Sequence, residues 1–285
     1  MRTVKLLAAI AAAMVVMGQA APPKPAGGGA GTAPATVKLW RLDCARQGKN
    51  VVQDLNRFSD TRAYTGQSRE LTASCYLIAH GATYMLWDSG YPQAAPGSSD
   101  TPLNATIVAQ LQRIGVSPAQ VSIVGVSHYH GDHIGQARDF PAATLMIGKG
   151  DYDALSATPP LNGANPAPLA HWIGGPGTRD VVSGDKDVFG DGSVVMLTMP
   201  GHTPGHHSLL VTLARTGPVL ISGDVAHFRE NLASDGVPTF NTDRADSLAS
   251  MDRYRALAKN MNAIVVIQHD PRDIGKLPIF PQAAE

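Results

Sequence analysis

Four side chains able to bind a metal fall within six residues of this chain, in the stretch Ser127-His128-Tyr129-His130-Gly131-Asp132-His133. On a helix, His128 and His130 would point to nearly opposite sides, so shared ligation requires a strand end or a loop. The apolar run 123–126 immediately upstream supplies that strand end. Three further candidates recur in matching contexts: His202 after Pro200-Gly201, Asp224 after Gly223, and His269 after the apolar run 263–267. Each would lie just beyond a strand, where a sheet holds ligands in fixed geometry while loops admit substrate. A lone histidine is more often a hydrogen-bonded core or surface residue than a ligand. Clustering reverses that preference. The set divides into His128, His130 and His202 for one ion and Asp132, His133 and His269 for a second, with the Asp224 carboxylate between them. Imidazole and carboxylate donors without thiolate suit zinc first, and accept iron, cobalt or manganese.

Around these ligands the pattern alternates strand and helix. Strands are expected over 37–42, 75–78 and 84–87, the last two forming a hairpin that closes at His80 to Ala82 through Gly81. Leu103, Ile107, Leu111 and Ile114 recur at helical spacing and stop at Gly115. Strands 123–126 and 144–147 come next, with room for a short helix between them. Beyond a Pro/Gly-rich loop over 159–177, strands 193–198, 208–213 and 219–222 flank His202 and run into Asp224. A second helix carries Leu248, Met251, Tyr254 or Arg255, and Ala258, before the strand that delivers His269. Neither a repeat nor a second linker interrupts 37–285, so one domain is expected there, and 44% hydrophobic residues suffice for its core.

The first residues read differently. Arg2 and Lys5 precede an uncharged apolar run over 6–17, then Gly18 and Ala20, which is the order of a signal peptide over 1–20. That run is about a dozen residues, short of the roughly 20 that span a membrane. Residues 21–36, mostly Pro, Gly, Ala and Thr, read as a flexible linker. The expected location is therefore periplasmic or secreted, without membrane insertion after cleavage. Lys plus Arg and Asp plus Glu each number 23; removing Arg2 and Lys5 leaves 21 against 23. This balance offers no electrostatic reason for a nucleic-acid partner. Cys44 and Cys75 are the only cysteines, and either a disulfide or two buried thiols fits the sequence.

The pattern His128-x-His130-x-Asp132-His133 resembles the signature of the metallo-β-lactamase superfamily. Trp87-Asp88-Ser89-Gly90, Gly201-His202-Thr203-Pro204-Gly205-His206, Ser222-Gly223-Asp224 and Gln268-His269-Asp270 resemble its other landmarks. The resemblance implies an α/β fold, the αββα sandwich, with a two-metal site at one edge between two sheets. It also implies that Asp88 supports the ligands from behind. His206 could do the same beneath the site, or be an ordinary core or solvated histidine.

Within that superfamily the chain is most similar to the N-acyl homoserine lactonases, which carry all seven ligands. The stretches Phe58-Ser59-Asp60-Thr61, Ser74-Cys75-Tyr76-Leu77-Ile78 and Tyr84 to Gly90 also look like an exported branch of that family. Sixteen residues follow His269, which argues against the added domains of glyoxalase II and flavo-diiron proteins. Asp224 argues against a primary β-lactamase role. The resemblance thus implies a metal-dependent hydrolase that opens a small-molecule lactone. A metal-bridging hydroxide would attack the ester carbonyl, and Asp132 would carry a proton to the leaving oxygen. Known lactonases place a tyrosine three residues after the bridging aspartate, to assist at the substrate carbonyl; here that position is His227, which either replaces the tyrosine or leaves the task to the metals. An apolar acyl pocket is expected, with Trp40, Tyr129, Trp172, Phe228 and Phe240 as candidate walls. The alternatives are a β-lactam, another lactone or a phosphoester as substrate, or a non-catalytic metal-binding protein. A homodimer is compatible with the sequence.

Overall fold

The computed structural model describes residues 35–161 and 163–285. The signal peptide expected over 1–20, and the linker up to residue 34, lie outside the described residues. Two sheets dominate the described chain. The first has the order β1 (Val37–Asp43), β4 (Ser74–His80), β5 (Thr83–Trp87), β6 (Val121–Gly125), β7 (Thr144–Gly148) and β8 (Arg179–Val182). The second has the order β13 (Ile264–Val266), β12 (Gly217–Ile221), β11 (His207–Leu213), β10 (Val194–Thr198) and β9 (Lys186–Asp187). A short antiparallel ribbon, β2 (Asn50–Val52) with β3 (Arg69–Leu71), stands apart from both.

The near-continuous apolar runs of the central strands are explained by burial on both faces. In β4 and β5, Tyr76, Ile78, Met85 and Trp87 point into the space between the sheets, where they meet Val194, Met196, Leu209, Val211 and Ile221. Leu77 and Leu86, one residue out of phase, face the opposite way. There they pack against the helices α1 (Ile107–Arg113), α2 (Gly131–Ile134), α3 (Lys149–Ser156) and α4 (Ala170–Ile173), through residues such as Ile107, Ile134, Leu155 and Trp172. On the second sheet's outer face, Leu197, Leu210 and Leu220 pack against Met251 and Tyr254 of α6 (Arg244–Asn260), beside α5 (Arg229–Ser234). Helix, sheet, sheet and helix layers result, which is the expected αββα sandwich.

Most expected elements lie within a residue or two of their predicted bounds, including the hairpin that turns at Gly81, where φ is +59°. The first helix starts later than its periodicity suggests. Leu103 is taken up by an isolated bridge to Arg46, and Thr106 caps the helix by accepting the Ala109 N–H at 3.1 Å. The loop expected over 159–177 contains α4, held by the buried Trp172, whose indole N–H donates to the Ala143 carbonyl. Helices α3 and α5 and strands β2, β3, β8 and β9 had no counterpart in the sequence pattern. Of the two readings open for the cysteines, the disulfide is the one formed: Cys44 and Cys75 are bonded, Cα to Cα 5.9 Å, joining the end of β1 to β4.

Candidate metal centre

All seven expected ligands sit past the ends of strands at one edge of the sandwich. β6 leads into His128, β10 into His202, β12 into Asp224 and β13 into His269. His130 is the last extended residue before α2, and that single helical turn brings His133 back toward His128. The ligands form the two groups expected: His128, His130, His202 and Asp224 in one, Asp132, His133 and His269 in the other.

In the first group, His128 Nε2, His130 Nδ1 and His202 Nε2 lie 3.0, 3.0 and 3.1 Å from one another. The opposite ring nitrogens show why this closeness matters. His202 Nδ1 donates to Asn241 Oδ1 at 2.8 Å, and His269 Nδ1 to the Thr72 carbonyl at 2.6 Å. His133 Nδ1 donates to Asp88 Oδ2 at 2.9 Å, while His128 Nδ1 contacts Ser127 Oγ at 3.0 Å. With the proton on Nδ1, Nε2 of those rings carries a lone pair, whereas the neutral His130 ring, which enters through Nδ1, offers its lone pair there with the proton on Nε2. Lone pairs therefore converge on one point, and His133 and His269 repeat the arrangement with Nε2 atoms 3.1 Å apart. Such convergence is repulsive unless a cation lies between the donors. Tetrahedral ligands at 2.0–2.1 Å from zinc stand about 3.3 Å apart, close to the observed spacings.

Asp224 links the groups with one oxygen each. Its Oδ1 lies 3.3 Å from His133 Nε2 and 3.1 Å from His269 Nε2, and Oδ2 lies 3.2 Å from His202 Nε2. Oδ1 is buried without a hydrogen-bond partner. An unpartnered carboxylate oxygen in a protein interior is costly, and a divalent ion would satisfy it.

Electrostatics agree with that assignment. Burial, and then the neighbouring His133, hold His128 well below the usual histidine range; burial and His202 lower His130 to about 4. Both rings are thus neutral donors at pH 7. For His133 and His269 burial pulls the same way, but carboxylates outweigh it, Asp224 foremost, and raise both. Asp224 itself, although burial opposes its charge, is held well below the carboxylate range by His269, His227, His133 and His128. The second group thus demands positive charge, which a divalent ion would supply in place of the imidazole protons.

A layer of support lies behind the ligands. Asp88, as the resemblance implied, is 1% exposed and accepts from Ser127 N, Ser127 Oγ, His133 Nδ1 and Gln268 Nε2 at 2.6–2.9 Å. His206 also lies beneath the site, accepting the Asp224 N–H on Nε2 at 2.8 Å and donating from Nδ1 to the Met199 carbonyl. Gly223 makes that contact possible: at φ +55° its backbone passes so close that a Cβ would meet His206 Nε2 at 2.5 Å. Asp151 joins the two ligand loops, accepting from Tyr129 N, Thr203 Oγ1 and Gly205 N at 2.7–3.1 Å. Sequence reasoning missed Asp151, Asn241, Ser127 and the Thr72 carbonyl. Of these, only Ser127 carried a local signal, since it adjoins a ligand.

His227 stands outside both ligand groups. Its Nε2 lies 3.1 Å from Asp224 Oδ2, its ring stacks on His269 at 5.6 Å, and Nδ1 has no partner. A cleft of about 400 Å³ opens over the ligands, walled by Val52, Phe58, Leu71, Tyr91 and Phe240, with Asn50 and Arg57 adding polar edges. Of the expected wall residues, Phe240 alone lines it. Tyr129 and Trp172 are buried in the layer between the first sheet and its helices, and Trp40 packs against that layer and donates to the Pro281 carbonyl. Phe228 lies behind Phe58, in a separate cluster. The apolar pocket expected for an acyl chain is therefore a mixed one, built largely by the segment carrying Phe58 and by Tyr91.

Comparison with known proteins places this geometry in a family. Residues 69–269 match the metallo-beta-lactamase superfamily model. The chain is 34% identical over 179 residues to the N-acyl homoserine lactonase AttM of Azorhizobium caulinodans, covering 58% of this chain and 64% of that protein's length. It is 27% identical over 232 residues to an N-acyl homoserine lactonase of a Bacillus species, covering 76% of this chain and 88% of the relative. A quorum-quenching N-acyl homoserine lactone hydrolase superposes with a TM-score of 0.73 at 25% identity, over 88% of this chain and 99% of its own. A second such structure, with N-hexanoyl-L-homoserine bound at its catalytic metal center, superposes with a TM-score of 0.71 at 25% identity and the same coverage. The chain belongs to the metallo-β-lactamase superfamily.

Proposed function

We propose that this protein hydrolyses the lactone ring of N-acyl homoserine lactones at a two-metal centre. The carrying observation is Asp224, which offers one carboxylate oxygen to each of two converging histidine groups. His128, His130 and His202 would hold one ion and Asp132, His133 and His269 the other, with zinc the leading candidate. Bound there, two divalent ions lower the pKa of a water and polarise an ester carbonyl.

The chain's own residues do the rest. Asp132 sits at the cleft edge of the second group, 3.8 Å from His269 Nε2, and is held ionised against burial by His133 and His269. An ionised carboxylate at that place can accept a proton from the attacking water and return it to the departing ring oxygen. Phe58, Leu71 and Phe240 offer apolar surface to an acyl chain, at about 0.8 kcal/mol per buried methylene. The names of the relatives support the substrate class. We extend the reading to location: the signal-like residues 1–20 and the Cys44–Cys75 bond favour a periplasmic or secreted enzyme.

The test is ring opening of a series of N-acyl homoserine lactones by metal-loaded protein, before and after chelation, with nitrocefin and an aryl phosphotriester in parallel. Turnover of at least one chain length, abolished by chelation, is expected. Absence of lactone turnover at every chain length, or a strong preference for either parallel substrate, would overturn the assignment.

A further inference from the structure

The pairing of β4 with β5 ends at Tyr76 opposite Trp87. The chain just outside that pair, 72–75 on one strand and 88–90 on the other, orients ligands of the second group. Segment 72–75 holds His269: Thr72 N donates to the His269 carbonyl at 3.0 Å, and the Thr72 carbonyl accepts from His269 Nδ1 at 2.6 Å. Segment 88–90 holds His133. Asp88 Oδ2 accepts from its Nδ1 at 2.9 Å, Ser89 N donates to its carbonyl at 2.6 Å, and the Gly90 carbonyl accepts from Gly135 N at 2.8 Å, just past α2. The 3.1 Å between His133 Nε2 and His269 Nε2 therefore depends on how the two segments are held against each other.

Two links among the described residues join them. Gln268 Nε2 donates to the Ser74 carbonyl at 3.0 Å and to Asp88 Oδ2 at 2.9 Å. The other link is the Cys44–Cys75 bond. Cys75 belongs to the first segment, and Cys44 is tied to that segment both by the bond and by its N–H, which donates to the Ala73 carbonyl at 3.0 Å. The bonded pair rests on the second segment at Gly90, where an added Cβ would collide with Cys44 Cβ and lie 2.9 Å from its Sγ. Both cysteines are fully buried, so the cross-link cannot swing aside into solvent. The first group leans on other supports: Asn241 orients His202, and Asp151 joins Tyr129 N to Thr203 Oγ1 and Gly205 N. Its one tie to segment 88–90 runs through Ser127, beside His128.

We propose that Cys44 and Cys75, once bonded, are positioning residues of the second metal group, setting the separation of His133 and His269 and with it the affinity for that ion. This rests on the two-metal reading of the site. Neither cysteine offers a donor atom; the cross-link acts on His269 through the chain at Thr72 and on His133 through Gly90.

The experiment compares the unmodified protein with two double variants, Cys44→Ser with Cys75→Ser, and Cys44→Ala with Cys75→Val, the latter keeping the buried space filled and apolar. Each is loaded with zinc and exposed to graded chelator while bound zinc is counted by elemental analysis. Both variants should release one zinc at a chelator concentration about 10-fold lower than the unmodified protein, or lower still, and keep the other within about threefold. Amide hydrogen exchange of the metal-free proteins reads the same link without any ion. The Thr72 and Ser89 amides should speed up at least about tenfold more than that of Gly205, which Asp151 holds among the first group's loops. A bond that merely stabilises the fold would weaken both ions alike or neither, and would speed all three amides equally. Either result would overturn the proposal, as would failure of both variants to fold. Fewer than two zinc ions in the unmodified protein would refute the two-metal reading instead, and the three amides then still decide whether the bond holds the two segments together.

Discussion

Replacing Asp88 by asparagine removes one charge and changes almost no volume, so its consequences can be worked from the four hydrogen bonds it accepts. Three of them, from Ser127 Oγ, His133 Nδ1 and Gln268 Nε2, converge on Oδ2, whereas Oδ1 accepts only the Ser127 N–H. The variant amide keeps most by placing its oxygen at Oδ2. Its NH2 group then faces the Ser127 N–H, where the present separation is 2.6 Å. Two buried donors are opposed, which costs about 1–3 kcal/mol of stability. Loss of the carboxylate also makes His133 a poorer ligand, and such changes behind a ligand lower metal affinity by about 10- to 100-fold. The effect should fall mainly on the group of Asp132, His133 and His269, because His202 is oriented by Asn241 and does not depend on Asp88. Graded chelation with elemental analysis separates the two equivalents. The variant should lose one ion at a 10- to 100-fold lower chelator concentration and retain the other within about threefold. Release of both ions at unchanged chelator concentrations would refute the argument that Asp88 tunes the second group through His133.

Two further outcomes concern groups outside the ligand set. Burial dominates at Asp151 over its three hydrogen bonds and raises its pKa to about 7, against about 3.9 in an unfolded chain. A carboxyl with a raised folded pKa favours the folded state in its protonated form, so its contribution is fully present below pH 4 and lost as pH rises toward 7. The difference amounts to about 4 kcal/mol at most. Asp151→Asn stays neutral, so urea unfolding should show the native protein losing stability relative to the variant between pH 4 and 8; the opposite slope would contradict the assignment. The Cys44–Cys75 bond spans 31 residues, and chain entropy gives it about 3–4 kcal/mol. The double Cys→Ser variant should unfold at correspondingly lower denaturant, and an unchanged midpoint would show that the bond constrains nothing.

The candidate ligands were legible in the sequence because His128, His202, Asp224 and His269 are chemically distinctive side chains that closely follow apolar strands, and His130, Asp132 and His133 cluster behind the first of them. His128 and His269 needed no tertiary information to be placed at strand ends. Residues that orient them were mostly illegible. Thr72 holds His269 from 197 residues away through a backbone carbonyl, a group every residue possesses. Asn241 meets His202 only because the chain before α6 folds back over the site. The cleft walls escaped for a related reason. Phe58 comes from a short turn between β2 and β3 with no periodicity of its own, while Trp172 and Tyr129 looked equally suitable and are core. Leu103 shows the limit of spacing: it continues the helical period of Ile107 and Leu111, but pairing with Arg46 claims its backbone first.

The most direct test of a lactone-opening two-metal centre is to titrate metal-free protein with zinc while monitoring ring opening of an N-acyl homoserine lactone. Activity should rise until two equivalents per chain are bound and then remain constant, with Asp224→Asn holding fewer than two and losing most turnover. Full activity at one equivalent, or turnover that persists in chelated protein, would contradict the account.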